Sequence, residues 1–312
     1  MSIASEISIP SHAADEDIDQ LHPPPLLERF YREAPNDILE NILLIFSDVD
    51  ENGQGKGGLN VFRLVNKRLM HGVEACATRI TCFKIDGRAS LPIAALKRCT
   101  GIERIKSYGE IFGSLEGCPA GLKSLSIGDG SSLLSLEPLS ACTGLERLEI
   151  DYARNISDLS PLATCTRLNK LRITWSFVTE ISVLSSTPLL EHVNLIKYTD
   201  DPSIKDLFPL CHCKNLKKLD LSLNSELKDL SPLSECKELA ELNISDCPLI
   251  NHLGPLSSLM KLHYINCYKI GPETSLLPLA SCTGLKRIFC GKVAKDLEEL
   301  TRRRPDIQID TT

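Results

Sequence analysis

The chain repeats itself with a step of 23 residues, and that period restricts the possible folds more than any other feature. A Pro-Leu pair recurs at Pro138, Pro161, Pro209, Pro232, Pro255 and Pro278; the first two stand 23 residues apart, as do successive members of the last four. The wider gap from Pro161 to Pro209 holds one further unit, with Val183 in the proline position, and a short insertion, YTDDPS, at residues 198–203. The unit is clearest in LSPLSECKELAELNISDC, residues 230–247. There a Leu-x-Pro-Leu-x-x-Cys phrase leads into Leu239, Leu242 and Ile244, and Cys247 follows. The first apolar residue of each unit forms a ladder of about ten turns: Ile80, Ile102, Leu122, Leu145, Leu168, Leu190, Leu216, Leu239, Leu262 and Leu285.

Within a unit, alternating apolar residues such as Leu219 and Leu221 after Leu216 describe a short strand with one buried face. The Pro-Leu phrase supplies a return path that cannot be another central strand. One turn of strand and connector buries too little apolar surface to offset the entropy of ordering it, so the turns must stack. The Leu-x-x-Leu-x-Leu pattern with Asn or Cys three residues on resembles the leucine-rich repeat. That resemblance implies an α/β leucine-rich repeat solenoid with parallel strands on its concave face. The ISDLSPL phrases are similar to those of the bacterial internalin type as much as to repeats linked to an F-box.

In such a stack the residues between the buried leucines face outward. They are Arg104 and Lys106; Arg147, Glu149 and Asp151; Lys170, Arg172 and Thr174; His192, Asn194 and Ile196; Lys218 and Asp220; Glu241 and Asn243; Tyr264, Asn266 and Tyr268; and Arg287 and Phe289. Tyr152 and Trp175, the latter the only tryptophan, fall at the ends of neighbouring strands. Aromatic and cationic side chains together are the mixture enriched at protein interaction hot spots. The candidate partner-binding residues are therefore Arg147, Glu149, Asp151, Tyr152, Lys170, Arg172, Trp175, His192 and Asn194, with a second group at Tyr264 and Tyr268 beside Phe289.

With 312 residues, 42% hydrophobic and 24% charged, the chain can bury a large core. Its net charge of -6 argues against a nucleic-acid partner, which would need a basic stripe to neutralise phosphates. No run of 18 apolar residues offers a membrane span, and MSIASEISIPSHAADEDIDQ lacks the features of a secretory signal, so a cytoplasmic or nuclear location is expected. Of 13 cysteines, Cys142, Cys165, Cys213, Cys236 and Cys282 share one slot, three residues before the first strand leucine; Cys267 and Cys290 share another. They are expected to pack as small apolar residues and not as a disulfide scaffold. GQGKGG at residues 53–58 lacks the spacing of a phosphate loop, and Cys211, His212 and Cys213 lack a second ligand pair at zinc spacing. No catalytic phrase is present, so neither enzymatic activity nor a cofactor or metal is expected.

Residues 1–33 are polar, acidic in ADEDID and broken by Pro23, Pro24 and Pro25, and are expected to form a disordered arm. Residues 34–78 differ. In APNDILENILLIF the apolar residues Ile38, Leu39, Ile42, Leu43 and Phe46 mark one helical face, and Asp37 with Glu40 has the form of a capping box. After a glycine-rich loop, Leu59, Phe62, Val65, Leu69 and Val73 recur at helical spacing. The order Pro35-x-x-Ile38-Leu39-x-x-Ile42, loop, Phe62-Arg63-Leu64-Val65-Asn66-Lys67-Arg68 resembles the F-box family. The resemblance implies a short N-terminal F-box-like helical segment ahead of the solenoid, which docks on the adaptor subunit of a cullin-based ubiquitin ligase while the repeats hold the substrate. Carried over by position, Pro35, Ile38, Leu39, Ile42, Leu64 and Val65 would contact the adaptor. The sequence departs from the family at Ala34, Asn66 and Leu69 and in its longer loop. A helical cap over the first repeat accounts for the same apolar faces.

The repeats are expected over residues 79–293 and a cap over 294–312, where VAKDLEELTRRRPDIQID reads as a helix through Leu297 and Leu300 followed by a strand at Ile307 and Ile309. Arg302, Arg303 and Arg304 are expected to close that helix, their charge complementing its free carbonyls. The functional expectation is the substrate-recognition subunit of a ubiquitin ligase. A free-standing interaction scaffold is the alternative, and a small-molecule regulator with a concave pocket is a third class.

Overall fold

The computed structural model describes residues 82–85, 101–110, 114–197, 203–292 and 294–311. The arm at 1–33, the helical segment at 34–78 with Pro35, Ile38, Leu39, Ile42, Leu64 and Val65, and the GQGKGG loop lie outside the described residues.

Each period forms one short strand. The strands are β1 (Cys82–Ile85), β2 (Arg104–Glu110), β3 (Ser124–Asp129), β4 (Arg147–Ile150), β5 (Lys170–Ile173), β6 (His192–Asn194), β7 (Lys218–Asp220), β8 (Glu241–Asn243), β9 (Tyr264–Asn266), β10 (Arg287–Cys290) and β11 (Gln308–Thr311). They pair in chain order, each parallel to the next, in one sheet. Ten of them begin two residues after a member of the apolar ladder; β11 comes after it.

One face of the sheet is sealed by the ladder itself. Leu145, Leu148 and Ile150 of one turn, and Leu168, Leu171 and Ile173 of the next, are fully buried, and the pattern continues to Leu285, Ile288 and Cys290. Opposite the sheet, a 3₁₀ turn forms in each repeat from Glu137–Ala141 to Leu277–Ser281, on the Pro-Leu phrase everywhere but at Ser182–Ser186, where Val183 replaces the proline. The fixed φ of proline suits the first turn, where its missing N–H costs nothing. The aspartate of the Asp-Leu-x-Pro-Leu phrase starts the turn by accepting a backbone N–H two residues on: Ser160 N to Asp158 Oδ1 at 2.7 Å, Phe208 N to Asp206 Oδ1 at 2.7 Å and Ser231 N to Asp229 Oδ1 at 2.8 Å.

The cysteine slot lies behind these turns. The ten cysteines whose side chains are described are all free, and eight of them are buried. Cys142, Cys165, Cys213, Cys236 and Cys282 each point a thiol at a carbonyl of the preceding repeat, from 3.1 Å at Leu256 O to 3.6 Å at Leu139 O and Leu184 O. Burial pushes the thiols up, to about 11 for Cys142, Cys236 and Cys282 and to about 12 for Cys213. The slot therefore holds neutral packing residues.

At the far end a helix, Leu297–Arg303, precedes β11. Arg302 and Arg303 both pair with Glu299 on the helix surface. Arg304 departs from the expectation of three equivalent helix-closing cations. Its guanidinium leaves the helix and donates to the carbonyls of Ala280 (3.2 Å), Cys282 (3.0 Å) and Leu285 (3.1 Å) in the preceding repeat, and Asp306 holds it at 2.7 Å.

Candidate functional site

The parallel register lines the outward side chains up in rows. Arg147 faces Lys170, Lys170 faces His192, His192 faces Lys218, Lys218 faces Glu241 and Glu241 faces Tyr264. Two residues on, the second row runs Glu149, Arg172, Asn194, Asp220, Asn243 and Asn266. Between them an open hollow of about 450 Å³ crosses β5 to β9, lined by Lys170, Arg172, His192, Asn194, Lys218, Asp220, Glu241, Asn243 and Tyr264.

Most charges in these rows are held laterally by a neighbouring strand. Lys170 pairs with Glu149, Lys218 with Glu241 at 2.6 Å, and Arg172 Nε donates to Asp151 Oδ1 at 2.8 Å. Arg147 is exposed and has no ion-pair partner among the described residues. Half-exposed pairs of this kind stabilise a fold by at most about 1 kcal/mol, so their atoms are available for sharing with a partner. His192 stands between two lysines. Its own burial and then the charges of Lys218 and Lys170 hold its imidazole below the usual histidine value, against a smaller opposing pull from Glu191.

Asx-type bonds end the strands of the second row. Asp220 Oδ1 accepts Ser222 N at 3.0 Å, Asn243 Oδ1 accepts Ser245 N at 3.1 Å, and Asn266 Oδ1 accepts Tyr268 N at 3.1 Å. Asn243 also donates to Asp220 Oδ2 at 3.0 Å. Asn194, in the same row, differs: its Oδ1 is buried with no hydrogen-bond partner among the described residues.

The strand exits carry a second regularity. Tyr152, Trp175, Leu223, Asp246 and Lys269 occupy one slot of the repeat, and all have left-handed φ, between 54° and 65°. The turn is stabilised by the next repeat: Trp175 N donates to Ile196 O at 2.7 Å, Leu223 N to Ser245 O at 2.9 Å and Asp246 N to Tyr268 O at 2.8 Å. Tyr152 and Trp175 are thereby stacked at the rim, edge to face at 4.4 Å, with the Arg154 guanidinium 6.0 Å from the indole centre. Farther along, Tyr268 meets Phe289 at 5.9 Å and Lys269 Nζ lies 5.0 Å from the Tyr268 ring, beside a second hollow of about 420 Å³.

The candidates thus separate into three places. Lys170, Arg172, His192, Asn194 and Tyr264 share the main hollow; Arg147 and Glu149 on β4, with Asp151 just past its end, extend its face; Tyr152 and Trp175 form the rim, and Tyr268 belongs to the second hollow. Thr174 is not outward-facing as its position implies. It is buried, and its hydroxyl donates to Asp151 Oδ1 at 2.7 Å. Lys218, Asp220, Glu241 and Asn243, which lack the aromatic and cationic pairing that singled out the other candidates, line the same hollow, and row continuity alone is enough to find them.

No family model matches the sequence, and no curated protein does. Solved structures do match by shape. An internalin (InlF) from Listeria monocytogenes is similar over 93% of this chain and 91% of its own, at 16% identity and a TM-score of 0.56. Internalin C2 from the same organism is similar over 62% of this chain and 81% of its own, at 24% identity and a TM-score of 0.50. The fold is a leucine-rich repeat solenoid. At these identities the likeness carries the fold alone, and the solenoid's chemistry has to come from its own rows. Among the described residues no group of three or more His, Cys, Asp or Glu is placed to hold a metal ion, and no helix is long and apolar enough to cross a membrane.

Proposed function

We propose that the solenoid is a protein-interaction scaffold that takes its partner on the outward face of the sheet, from β4 to β9. The observation that carries this reading is the hollow across five consecutive strands, in which cationic, amide, acidic and aromatic side chains stand in register, flanked by the Tyr152 and Trp175 rim. Such a surface offers many shallow contacts along an extended partner and no enclosed chamber for chemistry. Affinity capture with the intact protein and with an Arg172→Ala, Trp175→Ala double variant tests it. A partner retained by the first and lost by the second supports the face; one retained by both moves the site elsewhere.

The finer reading is that the partner is a substrate and the solenoid the recognition subunit of a cullin-based ubiquitin ligase, in the cytoplasm or nucleus, with Pro35, Ile38, Leu39, Ile42, Leu64 and Val65 contacting the adaptor. What supports it is the F-box-like order of residues 35–42 and 62–68 ahead of the repeats. Co-purification with a purified ligase adaptor tests it. A complex formed by the intact chain and lost on deleting residues 34–78 supports the reading; no complex with the intact chain leaves the interaction scaffold.

A further inference from the structure

One row of the proposed interaction face carries three fixed cations and a histidine over four strands. Arg147 on β4, Lys170 on β5, His192 on β6 and Lys218 on β7 follow one another in register, with no acid among them. The carboxylates paired with the two lysines stand outside this run: Glu149 in the second row on β4, and Glu241 on β8. At His192 its own burial, and then the lysines on both neighbouring strands, oppose protonation.

We propose that this row is the seat of an extended acidic segment of the protein partner, running across the strands from Arg147 to Lys218. This deepens the interaction reading and rests on it. Three strand spacings separate the end members, roughly 14 Å, which four or five residues of extended chain cover. Alternate side chains of such a segment lie about 7 Å apart and face the sheet, so two or three carboxylates reach the row together. The donors are in place. The guanidinium of Arg147 has no ion-pair partner among the described residues, and its two-pronged edge suits a carboxylate. Each lysine ammonium has three donors, of which Glu149 or Glu241 occupies one in the structure. Beyond Lys218 the row changes to Glu241 and then Tyr264, so the acidic stretch ends at β7 and a neutral or aromatic residue of the partner follows over β9. The reverse orientation of charge, a basic segment, would meet Glu149 and Glu241 only by displacing the lysines that hold them.

The test uses the full chain and fluorescein-labelled dodecapeptides by fluorescence anisotropy: one with three alternate glutamates, one with three alternate lysines, and a single-stranded oligonucleotide of equal charge. The glutamate peptide binds, the lysine peptide does not, and added salt weakens the complex. Arg147→Glu and Lys218→Glu each reduce affinity about tenfold or more, while Arg104→Glu, in the same register row but on β2, two strands before Arg147 and beyond the end of the segment, changes it less than about twofold. Lowering the pH toward the titration of His192, with glutamates still ionised, tightens binding, and His192→Gln removes that gain. Equal binding of both peptides, tighter binding of the oligonucleotide, or indifference to Arg147→Glu and Lys218→Glu overturns the proposal. If no peptide binds but partner capture still depends on Arg172 and Trp175, the acidic segment falls and the interaction face stands.

Discussion

Tyr152 and Trp175 meet edge to face, 4.4 Å between ring centres and 87° between planes, because each occupies the same left-handed slot one period apart. The backbone, more than the rings, fixes this contact. A left-handed φ of 56° costs a residue with a Cβ about 1 kcal/mol or more, and glycine almost nothing. Both Tyr152→Gly and Tyr152→Ala lose the ring, so comparing them isolates the backbone. Tyr152→Gly is expected to be the more stable by about 1 kcal/mol in urea titration. Equal midpoints would mean that the left-handed slot is not under strain.

Asn194 and Asn243 sit in one row but in different bonding states, and their alanine variants should separate accordingly. Asn243 donates to Asp220 and accepts from Ser245, so its truncation leaves two groups without partners and is expected to cost about 1 to 3 kcal/mol. Asn194 already leaves its Oδ1 unsatisfied, and Asn194→Ala is expected to change stability by no more than about 0.5 kcal/mol. Denaturant midpoints of the two variants check the order; a larger loss at Asn194 reverses it.

The division of labour between these asparagines is invisible in a pattern of residue types, and it marks the limit of what the repeat reveals. Ten of the strands, the buried ladder and the outward rows follow from the 23-residue step, because strand periodicity is set locally by alternation around Leu145, Leu148 and Ile150 and their counterparts. The left-handed slot does not follow, since Tyr152, Trp175, Leu223 and Lys269 are not residues that advertise it; only Asp246 is. Alternation places Thr174 outward, yet it turns its hydroxyl to Asp151 once the strand has ended. The same holds at Arg304, whose partners lie 19 to 24 residues back.

Arg304 and Arg303 are adjacent arginines with very different expected weights. Arg303 pairs with Glu299 on an exposed helix face, and Arg303→Ala is expected to cost less than about 0.5 kcal/mol. Arg304→Ala leaves the carbonyls of Ala280, Cys282 and Leu285 without their shared donor, with an expected cost of about 2 to 3 kcal/mol. Arg304→Lys recovers only part of this, because one ammonium cannot span three carbonyls as the guanidinium fork does. Urea midpoints for the three variants give the ranking directly, and equal losses at 303 and 304 would remove Arg304 from its bridging role.

His192 gives the fold a pH dependence whose sign is set by its surroundings. Its folded-state value lies below the ordinary 6.5 because burial, and then Lys218 and Lys170 on the adjoining strands, disfavour the imidazolium; in the unfolded chain those constraints are gone. Between the two values the unfolded state therefore binds more protons, and stability falls as the pH drops through the window just below 6.5. Glu191 and Glu226 are also held below their ordinary value, but that value is 4.5, so their losses come at lower pH and do not fill the same window. Melting curves from about pH 7 to about pH 5 should thus show a decline in the intact protein that is shallower in His192→Gln. If the variant keeps the full decline, burial and the neighbouring lysines do not hold His192 below its ordinary value.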